Sequence, residues 1–342
     1  MGSKIQDLLV KKEVNIEDFK GKVLAVDAFN TLYMFLTTIR GPDGSPLMDS
    51  KQRITSHLTG LFTRFTNYME KGAKFVFVFD GKAPDLKSEE SKRRKKLKQE
   101  AKELFEKAKR EEDIENMKKY AARSTFLTND MIEQAKELLT AMGIPWIQAP
   151  SEGEAQAAYL VKNGDVYAVV SQDADALLAG APRVIKNLSI TGKRKKPGSY
   201  AYVTVNPEII DLKENLTELG INQEQLITLA ILVGTDYNYG GIKGIGPKKA
   251  LKLVKTNDSD EEIFEKAKWE EHMDISWKEI KKIITDMPIT KEYKITQQKP
   301  NYEKITRLLK EHDFNEDRIE KTLTKLKETQ KQKAQKGLGD FF

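Results

Sequence analysis

The chain has 342 residues, of which 32% are charged and 39% hydrophobic, and its formal net charge is +6. This composition indicates a highly charged globular protein rather than a disordered one, and the length allows one large domain or two smaller ones. Zero cysteines exclude disulfides and thiolate ligands, and three scattered histidines do not suggest a zinc site, so any metal must be bound by oxygen. We expect an intracellular protein without membrane contact, because no apolar run approaches a membrane span and no signal-peptide pattern is present.

Two buried strands are predicted in the first eighty residues, and each ends on an aspartate. Lys22 to Asp27 is the first, and Phe75 to Asp80 contains the second together with the acid that follows it. The spacing of apolar residues between them predicts amphipathic helices over Asn30 to Ile39 and over Ile54 to Met69. Because the carboxyl ends of neighbouring parallel strands meet at one edge of a sheet, we expect the two aspartates to share a site.

The positive charge is concentrated in one segment, Lys82 to Arg110. It contains twelve Lys or Arg and six Asp or Glu, so it carries the whole net excess of the chain. A helical pattern with few apolar positions continues to Lys119, and a solvated surface helix is the ordinary interpretation of such a run. Its position between acid-bearing strands favours a lid that contacts phosphates at least as much. A basic block beside acidic residues suggests a polyanionic substrate handled with bound cations.

Two carboxylate pairs flank one helix and one strand between Pro150 and Gly180. We expect Ser151 to cap the helix, Gly164 to end it, and Val166 to Val170 to form a buried strand. Dipole effects or loop preferences explain either pair alone, but not readily both pairs around one helix–strand unit. Together with the acids of the first two strands, they favour a site for a hard cation. The four acids are Glu152, Glu154, Asp173 and Asp175.

A glycine-rich turn opens onto a basic helix near residue 245. Glu224 to Val233 predicts an apolar helix, and Asp236 then adds a further carboxylate in a loop. Pro247 suits the first position of the next helix, whose free amides can face a phosphate. Such a turn is often only a tight turn, but this sequence favours contact with a phosphate backbone and no base readout. The residues expected at the contact are Gly244, Gly246, Lys248 and Lys249.

The end of the chain departs from the pattern before it. Glu316 to Lys336 predicts a basic, mostly solvated helix or tail, whereas the final residues include Leu338 and two terminal phenylalanines. These apolar side chains could fold back onto the domain, but they better suit the hydrophobic groove of a partner.

Taken in order, the motifs resemble the structure-specific 5′-nucleases, and among them the flap endonucleases of the archaeal and eukaryotic kind. The resemblance covers nearly the whole chain. It is carried by V-D-A-F-N-T-L-Y from Val26, F-V-F-D-G-K-A-P from Phe77, A-P-S-E-G-E-A-Q-A-A-Y-L from Ala149, Q-D-A-D from Gln172, G-T-D-Y from Gly234 and G-I-G-P-K-K-A from Gly244.

The resemblance implies an α/β, PIN-like fold: a mixed, largely parallel central sheet flanked by helices, with a helical arch and a helix–two-turn–helix. It implies one nuclease domain over about residues 1–325, with an N-terminal region to about 105, an arch at about 82–130 and an internal region at about 131–255. The helix–two-turn–helix falls at about 225–255, and residues 326–342 form a tail.

The resemblance also implies a site for two Mg²⁺ ions, with a possible K⁺ ion at the helix–two-turn–helix. Such ions lower the pKa of an attacking water and stabilise the leaving oxygen, so no side chain need act as nucleophile. The implied ligands are Asp27, Asp80, Glu152, Glu154, Asp173, Asp175 and Asp236.

Further roles carry over to single residues. Lys87 and Arg94 match cations that contact the scissile phosphate, Tyr33 matches an aromatic that stacks on a base, and Arg40 matches a phosphate contact. Ordinary packing is the alternative for Tyr33. The tail resembles the motif by which the family binds the sliding clamp, PCNA. Its matching residues are Gln335, Leu338, Phe341 and Phe342.

The implied function is a structure-specific 5′-flap endonuclease with 5′–3′ exonuclease activity, in Okazaki fragment maturation and repair. The implied partners are branched DNA with a 5′ flap and the clamp, and we expect the free protein to be a monomer. Its expected location is the cytoplasm or nucleoid in an archaeon and the nucleus in a eukaryote. A repair endonuclease or 5′-exonuclease of the same superfamily stays an alternative, as does a non-catalytic DNA-binding scaffold. A dehalogenase-like phosphatase needs D-x-D, but Phe29 stands two residues after Asp27.

Overall fold

The computed structural model describes residues 4–42, 44–111, 113–121, 123–190, 192–195 and 202–339. Its strands are β1 Lys12–Glu13, β2 Val23–Asp27, β3 Lys74–Phe79, β4 Trp146–Gln148, β5 Ala168–Val170, β6 Arg183–Lys186, β7 Gly192–Lys195, β8 Tyr202–Val205 and β9 Glu208–Asp211.

The α-helices lie mostly between and after these strands. They are α1 Ala28–Thr38, α2 Ser56–Gly60, α3 Thr66–Glu70, α4 Ser88–Arg110, α5 Ile114–Ala121, α6 Asn129–Ala141, α7 Gly153–Lys162, α8 Asp175–Leu178, α9 Leu212–Leu219, α10 Gln223–Val233, α11 Pro247–Thr256, α12 Asp260–Lys266, α13 Trp277–Thr285, α14 Tyr302–Glu311 and α15 Glu316–Gly339. No helix in the described ranges combines the length and the apolar character needed to cross a bilayer.

Seven strands form one sheet in the order β1-β9-β6-β5-β2-β3-β4. Strands β6, β5, β2, β3 and β4 are parallel, whereas β9 and β1 run antiparallel at one edge. Strands β7 and β8 make a separate antiparallel pair. The predicted fold class, a mixed and largely parallel sheet flanked by helices, is confirmed by this topology and by its likeness to a solved flap endonuclease, described below.

Both faces of the sheet are buried, because helices cover each of them. In β3 the side chains alternate: the phenylalanines pack on one face with α1, α2 and α6, and the valines pack on the other with α7 and α10. The strand therefore reads as a continuous apolar run rather than a polar–apolar alternation. The two sets are Phe75, Phe77 and Phe79, and Val76 and Val78.

Two local predictions need correction. Ser151 does not cap α7: its hydroxyl donates to the carbonyl of Lys82 at 3.0 Å, and Glu152 holds the N-cap position without a side-chain cap bond. The helix predicted over Ile54 to Met69 is present from Ser56 to Glu70, but it is not regular: a π-helical turn, Leu61–Phe65, lies between α2 and α3. That turn takes an extra residue, which leaves three of its five side chains buried against the sheet.

Candidate active site

Three neighbouring parallel strands bring the acids at or just after their carboxyl ends to one edge of the sheet. Asp27 is the last residue of β2, Asp80 follows β3, and Asp173 lies three residues beyond β5. Because β2 pairs with β3 on one side and with β5 on the other, the three carboxylates come together. Chain order separates them by more than fifty residues at each step, so only the sheet makes them neighbours.

Hydrogen bonds fix this cluster, and two residues that the sequence analysis did not single out make them. The buried hydroxyl of Ser171 lies 3.1 Å from Asp27 Oδ2 and 3.0 Å from Glu154 Oε1. The amide nitrogen of the Asn30 side chain donates to Asp173 Oδ2 at 3.1 Å, and the main-chain N–H of Asn30 donates to Asp27 Oδ1 at 3.0 Å. Their sequence signal is weak: Asn30 lies inside the motif that starts at Val26, and Ser171 directly precedes the motif that starts at Gln172.

The start of α7 supplies the first carboxylate pair. The main-chain N–H of Gly153 donates to Asp80 Oδ1 at 2.7 Å, which ties the helix start to the end of β3. Glu152 and Glu154 on either side of this glycine thereby reach the cluster. The other carboxylate pair lies close enough to Glu154 that the charges of Asp175 and Asp173 raise its pKa.

Cations from the segment after β3 close the outer side of the site. The ammonium of Lys87 lies 2.5 Å from Glu152 Oε2 and 3.2 Å from Asp236 Oδ2. The guanidinium of Arg94, on α4, forms a second ion pair with Asp236. The structure thus joins Asp236, from the loop after α10, to carboxylates that are far from it in sequence.

Burial and mutual repulsion raise the pKa values of the innermost carboxyl groups. Burial, followed by the charge of Asp80, raises the pKa of Asp27 to about 8, and burial with the charge of Glu152 raises the pKa of Asp80 to about 6. Burial also raises the pKa of Glu154 well above its usual range. Burial alone would lower the pKa of Lys87, but Glu152 and Asp236 raise it above the ordinary value. A bound cation would relieve this repulsion.

A small cavity of about 50 Å³ opens beside the carboxylates. Its lining includes four of the acids together with apolar residues such as Ile284 and Met287. A larger open groove, of about 690 Å³, lies beside α9 and is lined by none of the seven acids. In the part of the chain that the structure describes, no three acidic or histidine side chains are grouped as the ligands of one ion.

Tyr33 and Arg40 lie on and just after α1, and both already have partners. Lys98 from α4 donates to the Tyr33 hydroxyl at 2.7 Å, and its ammonium lies 4.2 Å from the centre of the ring. Arg40 donates to the carbonyls of Thr37 and Gly44 and to the hydroxyl of Thr125. The phosphate contact expected of Arg40 stays a prediction, since the guanidinium forms hydrogen bonds within the protein in this structure.

The glycine-rich turn lies between α10 and α11, which pack against each other. Gly246 is the N-cap of α11, with φ −90°, and Pro247 is the first helical residue as predicted. A Cβ built on Gly246 would meet no atom within 4 Å in the described part of the chain. Neither its conformation nor its packing requires a glycine there, which favours close approach of an outside group. Lys248 and Lys249 are exposed beside it.

The structure places the tail only in part. Gln335 and Leu338 belong to the backbone of α15, but their side chains lie outside the description, and Phe341 and Phe342 lie outside the described residues.

Comparison with known proteins shows to which family this chain belongs. The family model of the XPG N-terminal domain matches residues 3–101, and that of the XPG I-region matches residues 143–236. Flap endonuclease 1 of Pyrococcus abyssi is 50% identical over 343 residues, which cover 100% of this chain and 98% of the relative. The chain belongs to the flap endonuclease family. Flap endonuclease 1 of Pyrococcus furiosus is 49% identical and is covered to 99%.

Solved structures agree with this membership. Flap endonuclease-1 from Methanococcus jannaschii superposes with a TM-score of 0.76 at 41% identity, covering 97% of this chain and 100% of that one. The catalytic core of Rad2 in complex with DNA substrate gives a TM-score of 0.69 at 23% identity, covering 95% and 100%, and shows a shared fold. The predicted activity class, a structure-specific flap endonuclease of DNA replication and repair, is confirmed by this membership.

Proposed function

We propose that this flap endonuclease incises branched DNA at a 5′ flap by Mg²⁺-dependent hydrolysis. One observation supports the proposal above the others: carboxylates from β2, β3, β5, α7 and the loop after α10 form one cluster, with Lys87 and Arg94 over it. Cations at an acidic cluster suit a substrate whose phosphates must approach bound metal ions.

The donor chemistry fits a pair of hard divalent cations. Every candidate donor is a carboxylate oxygen. Burial and neighbouring carboxylates raise the pKa values of Asp27, Asp80 and Glu154, and a bound cation would favour their charged forms. When bound, Mg²⁺ would activate a water and stabilise the leaving oxygen. The ions would be held by Asp27, Asp80, Glu152, Glu154, Asp173, Asp175 and Asp236.

The protein's own residues would orient the substrate. Lys87 and Arg94 now form ion pairs with Glu152 and Asp236, and we propose that they would contact the scissile phosphate once these carboxylates serve as metal ligands. Their exchange of partners keeps the charge of the site balanced with and without substrate. Both side chains are partly exposed at the outer edge of the cluster, where a phosphate could reach them.

DNA contacts away from the cut would come from the remaining predicted residues. We assign base stacking to Tyr33, a phosphate contact to Arg40, and backbone binding to the turn around Gly244 and Gly246 with Lys248 and Lys249. A K⁺ ion at that turn, 5′–3′ exonuclease activity and a role in Okazaki fragment maturation belong to the same proposal. So do the single nuclease domain over residues 1–325, a monomeric free state and an intracellular location.

The proposal is tested by comparing 5′-flap, 3′-flap and blunt duplex substrates in Mg²⁺ and in EDTA. We expect incision of the 5′ flap alone, and only with Mg²⁺. Equal cutting of all three substrates, or cutting in EDTA, would contradict it. Asp175→Ala should abolish cleavage but retain flap binding; loss of both would indicate that Asp175 is structural.

We propose a separate role for the tail, residues 326–342, in binding the sliding clamp PCNA. The support is the sequence pattern of Gln335, Leu338, Phe341 and Phe342, at the end of a polar helix. Replacing both phenylalanines with alanine should weaken clamp binding at least tenfold, because buried aromatic anchors dominate such grooves. Clamp-free cleavage should be unchanged, and Lys333→Ala is the matched control. Unaltered clamp binding by the double variant would refute the role.

A further inference from the structure

Glu90 is a buried acid in the first turn of α4, and it lies outside the carboxylate cluster. Its side chain on α4 is 4% exposed. It accepts two hydrogen bonds from Arg93, at 2.6 and 2.9 Å, and one from Nε of Arg94 at 2.7 Å. One carboxylate therefore binds two neighbouring guanidinium groups. Such charge-assisted hydrogen bonds fix the orientation of the planar guanidinium groups.

The two arginines reach different residues of one loop. Arg94 continues to the carboxylate of Asp236, and the guanidinium carbon of Arg93 lies 3.7 Å from the ring centre of Tyr239, which is 58% exposed. Both partners follow α10. Glu90 is thus the point at which the first turns of α4 are joined to the loop that carries one of the proposed metal ligands.

Glu90 also differs from Asp236 because it can keep its arginine partners when metal and substrate bind. Asp236 is shared by Lys87 and Arg94, and it would have to release them to bind a metal ion. Glu90 faces no such demand and would hold the Nε edge of Arg94 throughout. Hydrogen bonds from Arg93 and Arg94 lower the pKa of Glu90 against the effect of burial, so it keeps its charge.

We infer that Glu90 is a positioning residue. It fixes Arg94 at the mouth of the site, so that the guanidinium meets the scissile phosphate when Asp236 binds a metal ion. This inference rests on the proposed function, since it assigns Arg94 to the phosphate. It adds a residue that contacts neither metal nor substrate and acts through another side chain.

The test is a double-mutant cycle on single-turnover cleavage of a 5′ flap, with Glu90→Ala, Arg94→Ala and the double variant. We expect Glu90→Ala to slow cleavage by about 10–100-fold, because misplacing a positioning group by about 1 Å has effects of that size. Flap affinity measured in Ca²⁺ should change less than about threefold. In the Arg94→Ala background, Glu90→Ala should have almost no further effect, because the two residues act as one unit.

Controls separate positioning from folding. Glu100→Ala removes an exposed acid from the same helix and should cleave normally. Glu90→Gln keeps an acceptor oxygen and should be intermediate; it replaces Glu90→Ala in the cycle if thermal melting shows that the alanine variant is unfolded.

Two results would overturn the inference alone: cleavage by Glu90→Ala at the rate of the unaltered protein, or an equal loss in both backgrounds. Failure of the unaltered protein to cut the flap would instead overturn the proposed function, and this inference with it.

Discussion

The main-chain N–H of Gly153 donates a 2.7 Å hydrogen bond to Oδ1 of Asp80, in a contact too close for a side chain at position 153. A Cβ there would lie 2.6 Å from the same oxygen. The glycine between Glu152 and Glu154 is therefore a requirement of the site rather than of the helix. It lets α7 begin directly against the acid that follows β3.

Gly153→Ala should consequently displace either Asp80 or the start of α7. We expect cleavage to slow by about tenfold or more, and a stability loss of about 1–3 kcal/mol from the overlap. Mg²⁺ binding measured by calorimetry should weaken in parallel. Gly164→Ala, just beyond the other end of α7, is the control: its φ of +83° makes alanine costly, but no Cβ contact lies within 4 Å in the described structure. Metal affinity should survive that change, and equal losses in both variants would contradict the assignment.

Gly246→Ala should separate DNA binding from folding. At φ −90° alanine is allowed, so the free energy of unfolding should change by no more than about 1 kcal/mol. The added methyl group faces the space from which a phosphate would approach, and flap affinity measured by fluorescence anisotropy should fall several-fold. Affinity equal to that of the unaltered protein would show that DNA does not approach this backbone.

Lys248→Ala probes the charge at the same turn. Loss of one phosphate contact should weaken binding to all sequences alike and reduce the slope of log affinity against log salt by about one. A salt titration of flap binding measures this slope. A slope that stays unchanged would place Lys248 outside the interface.

Two substitutions at Tyr33 distinguish stacking from hydrogen bonding. The hydroxyl now accepts from Lys98, so Tyr33→Phe removes that bond and keeps the ring. If the ring stacks on a base, Tyr33→Phe should bind and cut flaps nearly normally. Tyr33→Ala should then lose about 1–3 kcal/mol of binding free energy, measured as flap affinity in Ca²⁺. Equal effects of the two changes would argue against stacking.

His57 predicts a pH dependence of stability away from the site. Burial lowers the pKa of this fully buried ring to about 4, from an ordinary 6.5, while Nε2 lies 3.0 Å from Oε1 of Gln134. Between pH 4 and pH 6.5 the imidazole of His57 is protonated in the unfolded chain but neutral in the folded protein. The free energy of unfolding therefore decreases as the pH falls through this range.

Urea unfolding of the unaltered protein and of His57→Gln at pH 7 and pH 5 measures this contribution. The advantage of the unaltered protein should shrink by about 1–2 kcal/mol at the lower pH. Groups that do not act on His57 titrate alike in both proteins and cancel in the comparison; His312, whose charge also lowers the pKa of His57, is the exception. An advantage that stays constant with pH would contradict the assignment.

The parts of this protein that depend on local order could be predicted from the sequence. Apolar runs predicted β2, β3 and β5, the first two of them ending on an acid, and the glycine–proline pattern predicted the start of α11. Period and turn chemistry act over a few residues, so they can be seen in a single segment. The motifs, read in order, were enough to indicate the family.

How these parts meet could be seen only once the chain was folded. The pairing order β3-β2-β5 makes the acids neighbours, and the contact with Asp80 explains why position 153 must be glycine. Glu90 could not be distinguished from the other acids of a Lys/Glu-rich helix until its burial and two arginine partners were known. Long-range pairing and burial depend on which surfaces pack together, and no local pattern in the chain specifies that.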